Sequence, residues 1–247
     1  MKTLAVIPAR YSSTRFPGKP LIEINGKTMI QRVYEQAMQV FNYLYVATDD
    51  VRIENHIKNL GYNVVMTSVS HKSGTDRCAE ALDIIEDMLK IKFDVVFNIQ
   101  GDEPFILPEQ LRQLLFLFND VNVEIGTLVK KIYSNDELFD PNKPKVVLDK
   151  FNNAIYFSRS PIPHLRNVEK DEWIKNHIYY KHIGLYAYKA DVLRKITKLL
   201  PSKLEIAESL EQLRWIENGF KITVAITDYE SFSIDTPEDL QKLSKKE

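Results

Sequence analysis

Leu4-Ala5-Val6-Ile7 is an unbroken apolar run, and more than any other feature it narrows what this chain can fold into. A strand with one wet face alternates apolar and polar residues. A run without alternation suits a strand covered on both faces, as in a parallel sheet flanked by helices. The pattern downstream agrees. A polar loop over 9–20 leads to a helix expected from Thr28, its cap, to about Val40. Strands are read at 43–47, 62–66 and 94–99, with helices at 50–60 and 76–89 between them and Thr75 as the cap of the latter. Pro108 suits the start of a helix reaching about Phe118. This alternation predicts an α/β fold with a mostly parallel central sheet and helices on both faces. Ligands of such sheets bind beyond the carboxyl ends of the strands, where two polar loops stand, 9–19 and 100–104.

The second half is less regular. Strands are read at 125–129, 145–148, 154–158, 183–188 and 222–226, with helices at 190–199 and 205–218 and a polar stretch over 163–181. A turn at 235–239 opens a terminal helix. Without a repeat or a Gly/Ser linker, this half reads as a smaller mixed elaboration of one domain spanning 1–247. The formal net charge of −1 gives the molecule as a whole no reason to bind nucleic acid or anionic lipid. Cys78, the one cysteine, excludes an intramolecular disulfide and a multi-cysteine metal site. The apolar N-terminal run stops at Pro8 and Arg10, and no run approaches the ~20 residues of a membrane span, so the expectation is a cytoplasmic protein.

Anion binding must then come from local clustering. Arg10, Arg15 and Lys19 fall within ten residues, spaced by hydroxyl side chains, with Gly18 allowing close backbone approach and no carboxylate before Glu23. Cations alone suit a solvated loop; placed after a buried strand they suit a polyphosphate. The Walker pattern is absent. Gln100-Gly101-Asp102-Glu103-Pro104 follows the apolar 95–97 run, so Asp102 reads either as turn chemistry or as a carboxylate for Mg²⁺ in the crevice. Thr236 to Asp239 are accounted for as a helix start, whereas Asp235 is left over and could be a second metal carboxylate. His71-Lys72-Ser73-Gly74-Thr75-Asp76-Arg77 is a helix entrance with donors to spare, readable as a capping turn or as a surface for a flat base.

Taken together, these segments resemble the CMP-KDO synthetase (3-deoxy-manno-octulosonate cytidylyltransferase) family. The resemblance runs from Thr3 to Leu243 through IPARYSSTRFPGKPL, INGKTMI, VATDD, HKSGTDR, NIQGDEP, KVVLD, YFSRSPIP, HIGLYAY, LEQLR and IDTPEDL. It implies a single nucleotidyltransferase domain of the nucleotide-diphospho-sugar transferase type, usually a homodimer. The implied reaction is Mg²⁺-dependent transfer of CMP from CTP to the anomeric hydroxyl of KDO for lipopolysaccharide synthesis, with pyrophosphate leaving. On this resemblance Arg10, Arg15 and Lys19 are the triphosphate clamp, and Asp102 and Asp235 hold the metal. Ala9, Ser73, Gly74 and Arg77 surround cytosine and ribose, with Gln100 nearby. Arg159, His182, Tyr186, Glu211 and Gln212 form the sugar-acid pocket. The chain departs from the family pattern at His164, where an aromatic residue often follows Ile-Pro. A KDO variant such as amino-KDO, or sialic acid, is the alternative acceptor. An inactive CTP sensor is the alternative of another class.

Overall fold

The computed structural model describes residues 1–12, 16–230, 234 and 239. Its contacts divide the chain into two compact units, one of Met1–Arg112 with Ser231–Glu247 and one of Gln113–Glu230.

In the first unit, β1 (Thr3–Ala9) is followed by a short antiparallel hairpin, β2 (Glu23–Ile24) and β3 (Lys27–Thr28). Then come α1 (Met29–Ala37), β4 (Leu44–Thr48), α2 (Val51–Asn59), β5 (Val64–Met66), α3 (Gly74–Leu89) and β6 (Val95–Asn98). The strands lie side by side in the order β6-β1-β4-β5, all parallel. Leu4, Ala5, Val6 and Ile7 are wholly buried, so both faces of β1 are covered, as the unbroken apolar run requires. In register, Ala9 lies opposite Thr48 and Val6 opposite Asn98. Arg10, Asp49 and the turn that begins after Asn98 therefore leave the sheet at one edge.

Helix α1 buries Met29, Ile30, Val33, Tyr34 and Ala37, a stripe of helical period, and Thr28 caps it by accepting from the Gln31 amide. The cap of α3 is Ser73 and not Thr75: Ser73 Oγ accepts from the Asp76 amide at 3.1 Å. Ser73 has extended backbone, as an N-cap needs, while Thr75 is already helical and buried. The residue sequence alone offered two hydroxyls two positions apart and no means to rank them.

Helix α4 (Pro108–Leu117) carries the chain into the second unit. That unit comprises β7 (Ile125–Lys131), α5 (Asn135–Phe139), β8 (Lys145–Leu148), β9 (Ala154–Ser158), α6 (Trp173–Asn176), β10 (Tyr180–Lys189), α7 (Ala190–Ile196), α8 (Lys203–Glu208), α9 (Gln212–Glu217) and β11 (Ile222–Ile226). Its pairing is mixed. β11 runs parallel to β7, whereas β10 is antiparallel to β7 and to β8, and β9 pairs antiparallel with β8. The single helix expected over 205–218 is two helices. Ser202 and Glu205 form a reciprocal capping box that starts α8, and Ser209, left-handed at φ 52°, ends it. The polar stretch 163–181 encloses a small apolar cluster of Ile132, Leu138, Trp173 and Tyr179, with His164 edge-on to Trp173.

Candidate active site

At the carboxyl edge of the first unit's sheet lies a polar cavity of about 200 Å³. Its walls come from three places. The end of β1 and the loop after it supply Ala9, Arg10 and Lys19, the start of α3 supplies Ser73, Gly74 and Arg77, and the turn after β6 supplies Gln100 and Asp102. Eight residues expected from sequence are thus brought to one cavity. Arg15 and Asp235 lie outside the described residues. Pro8, Pro20, His71, Lys72 and Gly101 also line the cavity and were not singled out, although each adjoins a motif that was.

Chain geometry explains how the loop after β1 presents Lys19. The Gly18 amide donates to the Tyr11 carbonyl at 2.9 Å, pinching the neck of the loop. Gly18 has φ 72°, a conformation that favours glycine, and a Cβ there would also crowd the Tyr11 hydroxyl at 3.0 Å. Tyr11 is held in turn by the Arg52 guanidinium, 3.3 Å above its ring, and Arg52 is gripped by Asp50 through bonds of 2.9 and 2.7 Å. Lys19 Nζ donates to Asp102 Oδ2 at 2.8 Å.

The turn after β6 sits hard against β1. A Cβ on Gly101 would lie 3.1 Å from the Pro8 carbonyl oxygen, so a side chain beside Asp102 would press the backbone of β1 by a few tenths of an ångström. The Ile234 amide donates to the Asp102 carbonyl at 3.0 Å, and Ile234 packs with Ile24 and Met29. At the helix entrance, Glu80 accepts from the Ser68 amide at 2.8 Å and pairs with His71. Burial opposes ionisation of Glu80, yet these donors hold its carboxyl below the usual range.

The donor set suits Mg²⁺. A hard cation bound with a nucleotide takes one or two carboxylates and fills its remaining positions with phosphate oxygens and water. Asp102 already holds a cation, the Lys19 ammonium, at the wall of a polar cavity. Among the described residues no group of three or more acidic, histidine or cysteine side chains could hold a metal without such help.

The five residues expected around a sugar acid all fall in the second unit. Arg159 Nε donates to the Glu208 carbonyl, Nη1 to the Pro141 carbonyl and Nη2 to the Ser209 carbonyl, at 2.7, 3.0 and 3.2 Å. These bonds use three of its five N–H groups and leave one on each terminal nitrogen. His182 Nε2 lies 3.1 Å from Thr127 Oγ1, whose own proton points to the carbonyls of Leu185 and Ile183 at 2.8 and 3.2 Å. Nε2 is therefore the protonated nitrogen and Nδ1 is an acceptor. Burial lowers the His182 pKa to about 3, so the ring is neutral. The Tyr186 hydroxyl is buried without a well-aligned hydrogen-bond partner among the described residues, although the Thr127 side chain lies near enough to interact with it, and the Gln212 Nε2 amide is unpaired. Burial pushes the Tyr186 pKa well above its ordinary value, with the nearby Glu211 charge acting the same way. Buried polar atoms without partners are costly.

Comparison with known proteins gives one answer. Residues 4–222 match the family model for cytidylyltransferases. The 3-deoxy-manno-octulosonate cytidylyltransferase of Parabacteroides distasonis is 58% identical over 98% of this chain and 96% of its own length. The protein of that name from Cytophaga hutchinsonii is 53% identical, with coverage of 98% and 96%. Among solved structures, CMP:2-keto-3-deoxy-manno-octonic acid synthetase complexed with CTP superposes with a TM-score of 0.88 at 42% identity, over 99% of this chain and 98% of that one.

Proposed function

Since this chain belongs to the 3-deoxy-manno-octulosonate cytidylyltransferase family, we propose that it transfers CMP from CTP to the anomeric hydroxyl of KDO, releasing pyrophosphate and providing CMP-KDO for lipopolysaccharide synthesis. One observation carries the reading beyond kinship. The cavity of about 200 Å³ gathers the cations Arg10 and Lys19, a helix entrance capped by Ser73 with the Gly74 backbone beside it, and the Asp102 carboxylate in the turn after a central strand. That combination serves a nucleoside triphosphate with its metal.

The chemistry joins one anion to another, so positioning and charge neutralisation dominate over covalent catalysis. Asp102, with Asp235, would hold Mg²⁺, which supplies charge neutralisation at the α-phosphate and makes the attacking hydroxyl more acidic. Lys19 and Arg10, with Arg15, draw the β- and γ-phosphates together and stabilise charge on the departing pyrophosphate. In the second unit, the two remaining N–H groups of Arg159 suit the acceptor's carboxylate, a planar two-oxygen group. Neutral His182 offers Nδ1 to a sugar hydroxyl, while Tyr186 and Gln212 offer donors and Glu211 an acceptor.

The same reading makes the enzyme a cytoplasmic homodimer. Among the described residues no helix is long and apolar enough to cross a membrane. Phe151 and Ile155, beside and on β9 respectively, are 69% and 54% exposed and are suited to cover by a second copy. Sedimentation at micromolar concentration tests the dimer.

Pyrophosphate release from CTP and Mg²⁺ tests the reaction, with KDO, amino-KDO and N-acetylneuraminate as parallel acceptors. Release that depends on KDO is expected. Release with another acceptor alone moves the substrate and keeps the mechanism. Folded protein that binds CTP but releases nothing with any acceptor overturns the enzyme in favour of a sensor.

A further inference from the structure

Arg77 enters the cavity from the first turn of α3 and is 3% exposed. A long side chain on a helix ordinarily samples several rotamers, but this one is tied at both terminal nitrogens. Nη1 donates to Thr67 Oγ1 and Nη2 to Asp49 Oδ2, each at 2.6 Å. Both acceptors stand just past the carboxyl end of a strand, Asp49 after β4 and Thr67 after β5. Thr67 is itself fixed, its amide and its hydroxyl both donating to the Thr48 carbonyl at 2.8 and 3.2 Å. With the hydroxyl proton spent on Thr48, Oγ1 can only accept from Arg77, so the direction of the bond is set. Neither Asp49 nor Thr67 lines the cavity.

Fixed geometry at both terminal nitrogens, together with charge balance, suits Arg77 to a task other than gripping phosphate. Asp49 pairs with it directly, and Glu80 stands close enough for the two charges to interact. A guanidinium so balanced contributes little net field to a phosphate, but it still presents rigid, directional donors and no acceptor. That suits the edge of a neutral base. Cytosine presents O2 and N3 as adjacent acceptors, whereas uracil carries a hydrogen on N3. A fixed donor-only group therefore pairs with cytosine and meets uracil donor to donor, leaving a buried polar group unsatisfied.

We infer that Asp49 and Thr67 are positioning residues that set the choice of pyrimidine base, by locking the Arg77 guanidinium in one plane at the cavity wall. The inference rests on the reading of CTP as the nucleotide.

The test is titration calorimetry of wild type, Asp49→Ala, Thr67→Val and Thr67→Ser with CTP and with UTP, alongside steady-state kinetics. Thr67→Val is the milder change, because removing Asp49 leaves a buried cation unpaired and can cost stability; melting curves report which variants are folded. In Asp49→Ala and Thr67→Val, the Kd and KM for CTP are expected to rise about tenfold, the size of one good hydrogen bond. The preference for CTP over UTP should fall by a similar factor, while kcat and the KM for the sugar acid change little. Thr67→Ser, which keeps the hydroxyl, should restore wild-type preference. Folded variants that lose CTP and UTP equally, or lose neither, overturn the inference in favour of a purely structural ion pair. Wild-type protein with no preference for CTP overturns the underlying reading along with it, and the two failures are thereby told apart.

Discussion

Lys19 Nζ and Asp102 Oδ2 meet at 2.8 Å although 83 residues separate them in sequence. One side chain leaves the loop after β1 and the other the turn after β6, and those strands are parallel neighbours. The side chains are 13% and 30% exposed, at the wall of the polar cavity. The pair is a poor candidate for stabilising the fold, since partly exposed ion pairs contribute roughly 0–1 kcal/mol. On the proposed function its members serve turnover instead. Asp102→Asn should abolish most activity while melting close to wild type, and near-normal rates would remove Asp102 from the metal site. Lys19→Ala should lower kcat/KM for CTP by about 10²–10³, the effect of one preorganised donor to a transition state.

The poorly paired Tyr186 hydroxyl predicts a split between stability and binding. A buried hydroxyl without a partner costs about 1–3 kcal/mol, so Tyr186→Phe should be as stable as wild type or more so in chemical denaturation. If the hydroxyl serves the acceptor, the KM for the sugar acid should rise about tenfold with the KM for CTP unchanged. A destabilised variant with normal acceptor KM would contradict both parts.

His182 sets a pH dependence of stability. Its folded pKa of about 3 lies below the ordinary 6.5, so between these values the unfolded chain binds a proton that the folded one excludes. Its stabilising contribution is present above about pH 6.5 and is lost progressively as the pH falls towards 3. Glu137 and Glu230, whose pairing with Lys181 and other lysines outweighs burial and lowers their pKa values, also lose stability on acidification, but in the carboxylate range. Unfolding midpoints at pH 7 and pH 5 therefore isolate the histidine. Wild type should lose more over that interval than His182→Asn; equal losses would place the ring in water.

Gly18→Ala puts a side chain on backbone at φ 72° and against the Tyr11 ring. The left-handed conformation alone costs roughly 1–2 kcal/mol. A lower melting temperature should accompany weaker CTP binding, because the neck that aims Lys19 is loosened. Weaker binding without any loss of stability would mean that the loop is not preformed.

What sequence could deliver followed from how local the cause was. The buried run at 4–7 and the Thr28 cap of α1 are set by neighbours in sequence, and both stand as read. The gathering of Arg10, Lys19, Ser73, Arg77 and Asp102 at one cavity follows from strand order, for which loops after parallel strands are a sufficient signal. Other features depend on partners distant in sequence. Nothing in Asp49 or Thr67 advertises a bond to Arg77, although VATDD at the end of an expected strand marked the place. The poorly paired Tyr186 hydroxyl, the neutrality of His182 and the three carbonyls around Arg159 are likewise products of packing. Ser209 ends α8 in a conformation serine rarely adopts, which is why one helix was expected where two occur.

The hydrogen bond from Ile234 to the Asp102 carbonyl has a consequence for synthesis. The first unit is assembled from residues near both ends of the chain, with more than a hundred others emerging between them. On the ribosome, the turn bearing Asp102 is made early, yet it waits for its backbone partner until residue 234 has left the exit tunnel. A nascent chain arrested before that point lacks one of the backbone hydrogen bonds that hold the Asp102 turn, so the order of translation leaves this wall of the cavity incompletely supported until the second unit has been made.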